Sequence, residues 1–274
     1  MSRQYYYLIA SLGQLRLDDY KEPYRVDEFV SELHKNLTPV HSGYVRDILR
    51  IYDNAHIVDC MLENQKPWLL CKGNWTFDEL KKKMPFNEYD TDAYIACFMK
   101  EFNRLKQNTQ KISRADIEKV IWHIFYSKMV NHDNAFIRRY FSFDLELKNV
   151  LASFNKRKFS LSEDILMRVS DSGIMDKLSS STANDFGLSK ELEYIPGLLD
   201  AFLKKDSVNI EKFTDQLRWD MIDQINSLVY FQIDVLLGYL IKLMLVERWI
   251  SLDEVTGKES FQKIMEIKTE EVYQ

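Results

Sequence analysis

Residues 228–250 read LVYFQIDVLLGYLIKLMLVERWI, the most apolar run in the chain. A bilayer span wants about 20 mostly uncharged residues, and Asp234, Lys242, Glu247 and Arg248 interrupt this one. At about 100° per residue, Leu236, Leu240, Leu243 and Met244 fall on one side. Asp234, Lys242 and Arg248 fall broadly on the other. The run is a core helix. Glu247 is its misfit, landing inside the apolar arc after Leu243 and Met244. A buried carboxylate is costly unless paired and hydrogen-bonded. Glu247 therefore either reaches water at a frayed end or pairs with an Arg or Lys from another helix.

The rest of the composition agrees with a helical globule. The 274 residues include 8 Gly and 5 Pro, roughly 5% together against about 12% in an average protein. Turns of positive φ need Gly and rigid corners favour Pro, so a many-turned β-sandwich or barrel is excluded. The same shortage bears on function. The glycines are Gly13, Gly43, Gly73, Gly173, Gly187, Gly197, Gly238 and Gly257. None cluster as a phosphate-cradling loop requires. G-x-G-x-x-G, G-x-x-x-x-G-K-[ST] and G-x-S-x-G are all absent.

The formal net charge is −5 and the pI is near 5.7, without the basic excess of a nucleic-acid binder. Lys81-Lys82-Lys83, Arg138-Arg139 and Lys156-Arg157-Lys158 are local basic clusters of the kind exposed helix faces carry. Cys60, Cys71 and Cys97 are isolated thiols with no C-x-x-C spacing, fitting buried residues in a reducing cytosol. The opening Tyr5-Tyr6-Tyr7-Leu8-Ile9-Ala10 is too short and too aromatic for a signal peptide.

Pro23, Pro39, Pro67 and Pro85 predict short helices with corners in the first third, and the proline-free middle predicts long ones. Thr76-Phe77-Asp78-Glu79 has capping-box spacing. Ser113 caps a helix through Ile117, Val120, Ile121, Ile124 and Phe125, and another runs through Leu147, Val150, Leu151 and Phe154. Serine-rich residues 171–189 divide an N-terminal half, 1–170, from a C-terminal half, 190–274. In the latter, Ile210 to Leu252 reads as long helical structure and Phe261, Ile264 and Met265 mark a last short helix.

Asp18-Asp19-x-x-Glu22 is the strongest catalytic lead, since adjacent carboxylates can share a divalent cation and hold a diphosphate. The second motif such helical enzymes need is incomplete: Asn184-Asp185 begins it, but Ser189 falls one position late. A solvated acidic loop is the favoured reading. His34, His41, His56, His123 and His132 have no metal-ligand spacing. His123, between Trp122 and Ile124, reads as a core histidine, and His132-Asp133 as a cap or turn. No catalytic, cofactor-binding or metal-binding residue is assigned.

The segment Phe143-Asp144 … Asn149 … Arg157-Lys158 resembles the aromatic–Asp…Asn…Arg-Lys helix of the C-type (or d-type) stalk-adapter family of V-type and archaeal-type rotary ATPases. Arg50-Ile51-Tyr52-Asp53-Asn54, followed by Ile57, Val58 and Leu62, resembles a weaker earlier copy. Leu237-Gly238-Tyr239-Leu240 through Glu247-Arg248 is similar to that family's final helix, with Glu247 on its glutamate. The whole chain, including Tyr5 to Leu12 and Leu217-Arg218-Trp219-Asp220, resembles still more closely a bacterial family encoded beside V-type ATPase genes.

The resemblance implies an all-α, funnel-shaped pseudo-repeat with a long C-terminal helix. Such a protein is a non-catalytic central-stalk adapter that seats on the membrane rotor ring, receives the central-axle subunits and transmits torque for ion transport. It implies no cofactor, no metal and no nucleic acid, and a cytoplasmic place at the inner membrane face through the complex. Asp144, Asn149 and Glu247 would orient neighbouring helices, and Lys156, Arg157 and Lys158 would meet an acidic partner. With 16 Phe, 15 Tyr and 5 Trp, the chain has the aromatic content for a stiff adapter. The alternatives are a metal-dependent helical enzyme using Asp18, Asp19 and Glu22, or a helical interaction protein with another partner.

Overall fold

The computed structural model describes residues 5–18, 24–62, 73–84, 92–109, 111–161, 166–169, 173–204 and 206–251. Among them the fold is all-α, with eleven helices and no strand. They are α1 (Tyr6–Ala10), α2 (Val26–Asn36), α3 (Pro39–Met61), α4 (Phe77–Lys83), α5 (Ala93–Asn108) and α6 (Arg114–Met129). After these come α7 (Ala135–Lys158), α8 (Gly173–Ser180), α9 (Ile195–Leu203), α10 (Ser207–Asn226) and α11 (Ile233–Ser251).

The chain forms two compact units: Met1–Thr38 with Leu228–Gln274, and Pro39–Ser227. In the first, α2 packs on α11. Val26, Phe29 and Leu33 supply the buried face of α2, and the Phe29 ring meets Tyr239 edge-on at 5.1 Å. Burial on α11 extends past the expected stripe to Leu237, Tyr239, Ile241 and Val246. A helix apolar almost all round has no single buried face.

The second unit is arranged around α7, which packs against α6, α8 and α10. Phe125, Tyr126, Phe136 and Phe141 are among its fully buried rings, with Phe125 edge-on to Phe141 at 5.3 Å. A further cluster joins Val150 and Phe154 of α7 to Met175, Leu178, Phe186, Leu188, Ile195, Leu198 and Ile210. Capping fixes the ends as the sequence predicts. Thr76 Oγ1 accepts from Glu79 N at 3.3 Å while Glu79 Oε2 accepts from Thr76 N at 2.8 Å. Ser113 and Asp116 reciprocate in the same way at α6.

Three expectations are corrected and a fourth is refined. Pro39 starts rather than breaks: it opens the 23-residue α3, where its missing N–H is not needed and its φ suits a first turn. The long helical structure from Ile210 comes as two helices, since α10 stops at Asn226 and α11 begins at Ile233. Between them Phe231 takes φ 56°, and its carbonyl accepts from Tyr5 N at 2.7 Å. The serine-rich stretch contains a helix, α8, because Met175 and Leu178 have core to bury in. His123 is exposed: its sequence neighbours point about 100° away on either side, so apolar flanks do not make a core position.

Candidate functional site

Polar chemistry in the second unit gathers on α7 and α3. On α7, Asp144 is buried and held from two sides. Tyr126 Oη donates to its Oδ2 at 2.5 Å, and Arg218 Nε of α10 donates to its Oδ1 at 2.7 Å. Arg218 also reaches Asp215 at 2.8 Å. One turn beyond Asp144, the Lys148 ammonium lies 4.4 Å from the Trp122 ring centre and 5.1 Å from that of Tyr126, a cation–π arrangement. Asp144 and Asp215 thus share the Arg218 guanidinium, with the Lys148 amine beside Asp144.

Burial by itself would raise the Asp144 pKa. The Arg218 and Lys148 charges and the Tyr126 hydrogen bond outweigh it and hold the carboxyl below the usual range. Burial also pushes up the Tyr126 and Tyr140 phenols beside it and lowers the Lys148 pKa. Asn149 makes a two-way clasp: its Nδ2 donates to Met167 O at 3.1 Å and its Oδ1 accepts from Met167 N at 2.8 Å. This side chain fixes residues 166–169 on α7.

On α3, Arg50 donates to Asp47 at 3.2 Å and to Asp92 at 3.2 Å, with its guanidinium 4.4 Å from the Tyr94 ring centre. Asp47 also takes Lys128 at 2.6 Å and faces His132 Nε2 at 3.4 Å. Burial opposes its ionisation, yet hydrogen bonds from His132 and Lys128 bring its pKa down to about 2. Asp53 is fully buried and receives Asn74 N at 2.7 Å, Trp75 N at 3.3 Å and Asn74 Nδ2 at 2.6 Å. Here burial wins over those bonds and raises the pKa to about 6. Gly73 makes this possible, since a Cβ there would sit 2.2 Å from Asp53 Oδ1. Tyr94 Oη donates to Asn54 at 2.6 Å, and Asp59 pairs with Arg114 at 2.9 Å.

The other residues that the sequence singles out are scattered. Glu247 is half-buried on α11. The Arg25 guanidinium, its pKa raised first by Asp27, feels the Glu247 charge as well. Arg157 is engaged within its own unit, donating to the Ser181 and Ala183 carbonyls and lying 3.5 Å over the Phe186 ring. Lys156 is half-buried and Lys158 exposed. Asp18 is exposed, while Asp19 and Glu22 lie outside the described residues. No group of three His, Cys, Asp or Glu that could hold a metal occurs among the described residues.

Sequence reasoning assigns no role to Arg218, Asp215, Lys148 or the Gly73-Asn74-Trp75 turn. Arg218 lies in the Leu217–Asp220 tetrapeptide, but its partner is 74 positions away, and nothing in local spacing reports such a pair. The clusters can lock helices in register: Asp47, Asp59, Asp92, Asp144 and Asp215 each pair with a cation. No described helix is long and apolar enough to cross a membrane. No curated protein and no solved structure matches the chain. A family model does match, over residues 1–272, and the chain belongs to that family, described as protein of unknown function (DUF2764).

Proposed function

We propose that the protein is a non-catalytic adapter in the central stalk of a bacterial V/A-type rotary ATPase, linking the axle subunits to the membrane rotor ring from the cytoplasmic side. The observation that carries this reading is the Tyr126–Asp144–Arg218 clamp. It lies at the aromatic–Asp pair of the α7 segment that resembles the stalk-adapter family, and it ties α6, α7 and α10 together through buried, charge-assisted hydrogen bonds. A torque adapter needs elements that do not slide past one another. Buried ion pairs resist sliding, because separating them leaves an uncompensated charge in low dielectric. A related arrangement on α3 gives the buried Arg50, Asp53 and Asn54 hydrogen-bonded partners at the segment that resembles a weaker copy.

Affinity purification of the tagged full-length chain from native membranes tests the assignment. Recovery of ring and axle subunits in fixed proportion is the expected result, and a preparation without them overturns it. In membranes from a strain lacking the protein, ATP hydrolysis by the motor should persist while ATP-driven ion uptake is lost.

A further inference from the structure

The C-terminal end of α7 and the α9–α10 corner carry exposed apolar side chains. Phe159 is 62% exposed, Leu161 44%, and at the α9–α10 corner Leu203 is 72% and Val208 56% exposed. The end of α9 lies beside the end of α7. Lys158 Nζ lies 5.4 Å from the Phe159 ring centre and 5.9 Å from that of Phe202, and Phe202 stacks on Phe154 of α7 at 4.9 Å.

The backbone holds this surface open. Ser160 N donates to Arg157 O at 3.3 Å and Leu161 N to Lys156 O at 3.0 Å, the bond pair of a Schellman stop. Such a stop normally places Gly in the left-handed position and covers the following side chain with an apolar residue of the last turn. Here Ser160 takes φ 51°, a conformation costly to a residue with a Cβ. The last-turn positions opposite Leu161 are Asn155 and Lys156. Leu161 consequently has no apolar cover within α7.

We propose that this end of α7, with the α9–α10 corner, docks an acidic amphipathic helix of a protein partner. Phe159, Leu161 and Leu203 take its apolar residues, and Lys156 and Lys158 meet its carboxylates. Arg157 is not part of the charge recognition, because it is bonded to the Ser181 and Ala183 carbonyls. A protein fits better than an anionic bilayer. Asp200, paired with Lys204 at 2.6 Å, and the α10 cap Asp206 put exposed carboxylates at the same end. Lipid-surface binding instead calls for an uninterrupted polybasic cluster. Apolar anchors ringed by charge of both signs match a protein interface. The proposal rests on the adapter reading only in expecting a protein.

Replacing Phe159 by the photoreactive p-benzoylphenylalanine in the full-length chain, and irradiating native membranes, tests it. The expected adduct is a peptide of net negative charge with apolar residues at helical spacing. Its yield should fall about tenfold with Leu203→Asp, or with Lys158→Glu, and persist with Lys158→Arg. Adducts to lipid alone, adducts to neutral or basic peptides, or a yield no greater than from the probe at Asn103 on α5 each overturn the proposal. An acidic peptide from a protein outside the rotary ATPase supports the docking site and overturns the stalk assignment, so the two fail separately.

Discussion

Asp53 and Asp144 are both buried carboxylates on long helices, and their surroundings treat them in opposite ways. Asp144 has the Arg218 guanidinium at 2.7 Å and is held ionised. Asp144→Ala would leave Arg218 with Asp215 as its remaining carboxylate, costing up to about 3–5 kcal/mol in urea unfolding, whereas Arg218→Met should cost at least as much because it takes a cation from two buried carboxylates. Asp53 has only neutral donors, and burial lifts its pKa from 3.8 to about 6. A group raised on folding favours the folded state while protonated, so its contribution is complete below pH 4 and is lost as pH rises to about 6. The loss is roughly 2–3 kcal/mol. Asp47, lowered from 3.8 to about 2, works the other way, with stability present above pH 4 and lost as pH falls to about 2. Unfolding midpoints between pH 4 and 7 should therefore decline in the wild type and be flatter in Asp53→Asn. An equal slope in both chains would remove Asp53 as the cause.

At the level of elements, ends and junctions decide more than interiors do. The α3–α4 connection is seated by Gly73, whose Cβ position is taken by Asp53 Oδ1 at 2.2 Å and the Asp53 backbone N at 2.9 Å. Gly73→Ala should destabilise the chain by about 1–3 kcal/mol through overpacking, measurable as a lower urea midpoint. Ser160→Gly should act in the opposite direction, because glycine relieves the φ of 51°. The gain in the same measurement should be about 0.5–1 kcal/mol, the strain relief less the backbone entropy of glycine. Gly197 makes a comparable close approach, with Phe213 Cζ 2.7 Å from its Cβ position, which is how α9 comes close to α10.

At the scale of the molecule, the unit Pro39–Ser227 is one continuous piece, while the other joins Met1–Thr38 to Leu228–Gln274. Pairing α2 with α11 means closing a loop that contains the entire second unit, an entropic cost that grows slowly with length. Such distant contacts also delay folding. Residues 39–227 expressed alone should accordingly keep their helical circular dichroism and a cooperative unfolding transition. Residues 1–38 alone should be largely unfolded, since α2 loses the buried face it shares with α11. A 39–227 fragment that melts without cooperativity would show that the first unit is needed to complete the second.

Local chemistry was readable in the amino-acid order. Sparse Gly and Pro, the apolar period of 228–250, the Thr76 and Ser113 caps and the exclusion of a membrane span all depend on residues within a few positions of one another. The resemblance drew attention to Asp144, Asn149 and Glu247 without saying what they touch. Tertiary structure alone supplied Arg218 for Asp144, Met167 for Asn149 and the Gly73-Asn74-Trp75 turn for Asp53. It also bonded Arg157 to the Ser181 and Ala183 carbonyls and exposed His123. The division has a physical reason. Helix periodicity and capping are short-range steric and hydrogen-bonding effects, written in neighbouring residues. Whether a charge is buried, paired or open to a partner is set by side chains that only the folded chain brings together.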